Sequence, residues 1–89
     1  MPSISMFYGI LIKILYKDNK QHNTPHVHAE YGDYEASFDI NNCKLLAGKF
    51  PPKQTKLVEA WMEIYKDDLL TNWKLAIKGE PPYKIKPLG

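Results

Sequence analysis

Residues 26–40 read HVHAEYGDYEASFDI, two stretches of alternation joined by Gly32-Asp33. Period-two alternation marks half-buried strands, and Gly-Asp between them marks a two-residue hairpin turn. A turn of that length sets the register, because a slip of one residue would move every side chain to the other face. Tyr31 then faces Tyr34, Ala29 faces Ala36 and Val27 faces Phe38 on an apolar side. Glu30 faces Glu35, His28 faces Ser37 and His26 faces Asp39 on a polar side. Asn41-Asn42, both tolerant of positive φ, predicts a second turn into the strand CKLLAGK. That turn adds Cys43, Leu45 and Ala47 to the apolar side and sets Lys44 beside Asp39.

The flanking segments complete the outline. Phe7 to Tyr16 is β-branched and aromatic, which predicts a strand after the extended lead-in MPSIS. Ile10, Ile12 and Ile14 share one face of it, while Leu11, Lys13 and Leu15 share the other, so Lys13 joins the polar side. Downstream, FPP stops the sheet and Pro52 suits a first helical turn. Val58, Trp61, Met62, Tyr65, Leu69, Trp73, Ala76 and Ile77 recur every three or four residues, with both tryptophans expected in the core. They predict one helix of about seven turns, ending at Gly79, with a kink near Asp67-Asp68. Prolines hold the tail over residues 80–89 extended, as an edge strand or docked on another chain. The expected fold is α+β: a four-stranded antiparallel meander sheet with one long C-terminal helix packed on one face.

With 89 residues, 44% of them apolar and 25% charged, the chain is long enough for one domain, residues 1–89, around one core. FYGILIKILY is interrupted by Lys13 and too short for a membrane span. No basic leader or small-residue cleavage site flanks it, so a cytoplasmic protein is expected. Cys43 is the single cysteine, which excludes a disulfide within one chain and points to an inert core thiol. All twelve cations are lysines, so the bidentate guanidinium fork that suits phosphates is missing. Residues 1–43 carry three lysines and five acids, and residues 44–89 carry nine lysines and five acids. Lys74, Lys78, Lys84 and Lys86 would form a basic strip, or complement the helix C-terminus.

His22, His26 and His28 lie within seven residues, and three kinds of chemistry compete for them. In the first, His26 or His28 moves a proton, Asp39 orients His26, and Lys13 or Lys44 offsets anionic charge. Such a site needs no cofactor and suits metal-independent cleavage of RNA, with the 2′-hydroxyl as nucleophile. In the second, His22, His26, His28 and Glu30 hold a divalent metal such as zinc, as in a hydrolase with an open coordination position. In the third, the face is a noncatalytic surface for a protein or RNA. The plainest alternative is that the histidines pin the Pro25 loop by hydrogen bonds. Glu30 and Glu35, facing each other, call for a shared cation, a basic partner or simple exposure.

The opening MPSISMFYGILIKI, the block HNTPHVHAEYGDYEASFDI and the later WMEIYKDDLLTNW together resemble a small bacterial family, domain of unknown function 4160. The shared pattern H-x-x-P-H-x-H-x-x-Y-G is filled by His22, Pro25, His26, His28, Tyr31 and Gly32. Thr24 stands where the family more often has a second proline. The resemblance implies a partner, a small protein encoded alongside, in an arrangement similar to a type II toxin–antitoxin module. In such a module one small protein blocks growth, often by cleaving RNA, and the other masks it. Apart from the resemblance, a homo-oligomer is also compatible with the sequence.

Overall fold

A computed structural model describes residues 3–14 and 24–88. Five strands form one antiparallel meander in the order β1-β2-β3-β4-β5. They are β1 (Ser3–Phe7), β2 (Ile10–Lys13), β3 (His26–Tyr31), β4 (Tyr34–Asp39) and β5 (Lys44–Lys49). Two helices follow, α1 (Pro52–Ile64) and α2 (Lys66–Ile77). The architecture is α+β, with five strands where four were expected and two helices where one was.

The fifth strand comes from the segment read as a single strand over Phe7 to Tyr16. Tyr8 (φ 50) and Gly9 (φ 76) fold it into a tight hairpin, so the lead-in SIS belongs to β1 and pairs with β2. Gly9 adopts that backbone without cost, whereas Tyr8 is an unusual occupant of the left-handed region. The face assignment within β2 holds. Ile10, Ile12 and Ile14 are buried, while Lys13 stands opposite His28.

The β3–β4 hairpin has the expected register at each of its six pairs, from Tyr31–Tyr34 to His26–Asp39. The second turn differs in detail, since the positive φ falls on Cys43 (φ 54) rather than on either asparagine. Beyond it Asp39 meets Lys44 and Phe38 meets Leu45, as expected. The register then slips, leaving Leu46 as an extra residue, and Ala47 lies opposite Ser37. This β-bulge moves Ala47 to the polar side and corrects its assignment to the apolar one.

The helices pack on the sheet through Val58, Trp61, Met62, Leu69, Trp73 and Ala76, all buried. Trp61 stacks at 5.2 Å from Phe7, and Phe38 meets Phe50 edge-on at 5.7 Å. Burial of side chains this large stabilises the fold by about 1.5–3 kcal/mol each. The break between the helices is at Tyr65 (φ −112, ψ 27), two residues before the expected kink. Tyr65 still donates to the Trp61 carbonyl (3.0 Å) and accepts from Leu69 (2.9 Å), so the helical ladder continues through the bend. Gly79, at φ 80, ends α2 as expected, with Gly79 and Glu80 donating to the carbonyls of Ala76 and Leu75. Ile77, placed on the apolar stripe, is exposed, and Asn72 is fully buried in its stead. The tail folds back on β1, where Ile85 donates its N–H to the Ile4 carbonyl at 2.8 Å. No helix among the described residues is long and apolar enough to cross a membrane.

Candidate functional site

The polar side of the sheet carries three rows of side chains set by register. One runs Lys13, His28, Ser37 and Ala47 across β2 to β5. A second runs Leu11, Glu30, Glu35 and Lys49, and a third joins His26, Asp39 and Lys44. The register therefore sets His26, His28, Asp39, Lys13 and Glu30 near one another. His22 lies outside the described residues.

His26 is 1% exposed, far from the half-exposed position its polar row suggests. Its Nδ1 lies 2.9 Å from the Thr24 carbonyl, which can only accept, so that nitrogen carries the hydrogen. The Trp73 ring from α2 packs against the imidazole at 4.9 Å, and the His28 ring meets it at 5.2 Å. Asp39, directly across, is 8% exposed. Its Oδ1 accepts the Asn41 N–H at 2.9 Å and its Oδ2 accepts from Asn42 Nδ2 at 2.8 Å. The carboxylate thus ties the turn that follows β4, where Ile40 donates to the Pro25 carbonyl at 3.0 Å. Both groups of the proposed proton relay also anchor loops at one end of the sheet.

His28 is more open. Its Nδ1 lies 3.4 Å from Ser37 Oγ. With Glu35, Ala36, Ser37, Ala47 and Gly48 it lines a shallow depression of about 220 Å3. Lys13, across the register, forms an ion pair with Glu30. Lys49 stands opposite Glu35 in the register, so each of the facing carboxylates of Glu30 and Glu35 has a lysine on a neighbouring strand. Lys44 is largely exposed and approaches Glu59 of α1 at 4.0 Å, a separation at which its charge stays hydrated.

Among the described residues no group of three or more His, Cys, Asp or Glu stands close enough to hold a metal ion. Cys43 is buried, and its thiol lies 3.5 Å from the Ile40 carbonyl. Burial pushes its pKa up and the Glu63 carboxylate adds to the rise, which favours the protonated thiol. Residue patterns did not reveal Thr24, which acts through its carbonyl, or Trp73 as the cover on His26. Ala47 and Gly48 enter the depression because of the bulge.

Compared with known proteins, residues 9–74 match the family model described as Domain of unknown function (DUF4160). The match takes in the His26–Gly32 block and all of WMEIYKDDLLTNW. No curated protein and no solved structure matches the chain.

Proposed function

The chain belongs to the DUF4160 family, and we propose that it is the protein-binding member of a two-protein pair of the toxin–antitoxin kind. One observation carries this reading: His26 and Asp39, the best-matched pair for proton transfer, are buried and committed to loop contacts. A relay that moves protons for a large substrate such as RNA needs at least one partner within its reach. The resemblance to a family whose members look like partners of a small protein encoded alongside supports the same reading. Co-expression with that neighbouring protein, followed by size-exclusion chromatography, should give one stable complex. Separate elution of the two proteins would refute the proposal.

A second reading keeps RNA chemistry and rests on His28. This imidazole borders the depression, with the Ser37 hydroxyl beside it and Lys13 across the register. Growth arrest on induction should then disappear in His28→Gln, a substitution at a half-buried position that leaves the core intact. Arrest that persists in the folded variant would remove His28 from the chemistry.

A further inference from the structure

β5 is the last strand of the sheet, and no described strand pairs with its outer side. The opposite edge is partly covered, because the tail bonds to β1 through Ile85 and Ile4. All six residues of β5 are exposed, Leu45 and Leu46 at 41% and 39%. An open edge offers backbone N–H and C=O groups to any extended chain. Its chemistry decides which chain fits. Residues 44–56, KLLAGKFPPKQTK, contain four lysines and no acid. Lys44 and Lys49 close the two ends of β5, while Lys53 and Lys56 follow, exposed, on the first turns of α1.

This pattern disfavours a second copy. Two β5 strands related by a two-fold axis and centred between Leu46 and Ala47 would set Lys44 of each opposite Lys49 of the other. Like charges directly across a ladder repel. The bulge at Leu46 further blunts self-pairing, since the strand twists away from a flat template. An acidic strand avoids the charge repulsion, and it meets the bulge once rather than twice because it brings none of its own. With an apolar middle it would cover Leu45 and Leu46, and with acidic ends it would reach the four lysines.

We propose that the β5 edge binds an extended segment of a protein partner by strand addition, and that this segment has an apolar centre flanked by acidic residues. This rests on the partner-binding reading above and names its surface. The lysines supply charge selection and the ladder supplies geometry.

The test uses the full chain labelled with 15N and three probes. One is a synthetic peptide of alternating valine and threonine with two glutamates at each end. The second is the same peptide with lysines in place of the glutamates. The third is a single-stranded twelve-nucleotide RNA. The glutamate peptide should shift and protect the amides of residues 44–49, and bind roughly tenfold more tightly than the lysine peptide. Lys44→Glu/Lys49→Glu, at two exposed positions, should reverse that preference. N-methylation of alternate peptide amides should abolish binding to the unaltered protein. Equal binding of both peptides, shifts confined to other strands, or no binding of the glutamate peptide overturns the proposal. RNA that displaces the peptide from residues 44–56 assigns the lysines to nucleic acid and overturns it too. A native dimer in sedimentation, lost in Leu46→Lys, would give the edge to a second copy with the same consequence. The two readings separate cleanly. A complex with the neighbouring protein that survives Lys44→Glu/Lys49→Glu at full affinity refutes the β5 surface alone, whereas no complex with the native chain refutes partner binding.

Discussion

Asn72 and Tyr83 hold each other by two hydrogen bonds. The Asn72 Nδ2 donates to the Tyr83 carbonyl at 2.8 Å, and the Tyr83 N–H donates to Asn72 Oδ1 at 3.2 Å. A fully buried carboxamide on α2 thus takes the place of a strand partner for the tail. Asn72→Leu should destabilise the protein by about 2–4 kcal/mol, because both backbone groups lose their partner beside a buried apolar side chain. Urea unfolding measures it, and an unchanged midpoint would show that the pair contributes nothing.

Gly48 is the second point of small tolerance. At φ 92 it lies so close to β4 that an added Cβ would stand 2.6 Å from the Glu35 carbonyl oxygen and 2.9 Å from the Ala36 Cα. Both are backbone or nearly so, and neither can yield. Gly48→Ala should cost about 2–3 kcal/mol. Gly32→Ala, with open space at its Cβ position, should cost about 1 kcal/mol from its backbone angle alone. Paired thermal melts would order the two variants, and the reverse order would contradict the close approach.

Asp39 distinguishes a turn anchor from an acid–base group. Asp39→Asn keeps one carbonyl-type acceptor for the Asn41 N–H, whereas Asp39→Ala removes both acceptors. Stability should fall by about 1–2 kcal/mol in the alanine variant and by clearly less in the asparagine variant. Equal losses in chemical denaturation would mean that the Asn41 contact is not what the carboxylate supplies.

Cys43 gives a pH dependence with a defined sign. Burial, aided by Glu63, holds its thiol above the ordinary value of 9.0. As pH rises, the unfolded chain loses this proton before the folded one does. The thiol's contribution is therefore complete below the unfolded value and declines as pH climbs through it toward the folded one. Cys43→Ala should flatten the decline in melting temperature above about pH 9 relative to the native chain. Parallel curves for the two proteins would contradict a protonated, buried thiol.

The central hairpin was legible because two local signals agreed: alternation chose the faces, and Gly32-Asp33 chose the register. That agreement placed His26 across from Asp39 and His28 across from Ser37. The first hairpin was hidden because Tyr8 takes a backbone conformation that aromatic residues rarely adopt, inside a run that reads as one apolar strand. The bulge at Leu46 left no mark in KLLAGK, since an extra apolar residue preserves the look of a strand. Asn72 broke the apolar stripe, and its meaning came only from the tail that it holds. The burial of His26 depended on Trp73, a residue distant in sequence, and alternation within β3 carries no information about such a cover.

The tail on β1 has a consequence for how the domain forms. The Ile85–Ile4 bond and the Lys86 carbonyl on Trp61 Nε1 (2.8 Å) join the last segment to the first strand and to the centre of the core. Contacts this far apart along the chain close large loops and slow the search for the native topology. A nascent polypeptide stalled before Ile85 would leave the β1 edge bare and a tryptophan N–H without its acceptor. During synthesis the domain therefore has two sticky margins, and completing the chain seals one of them.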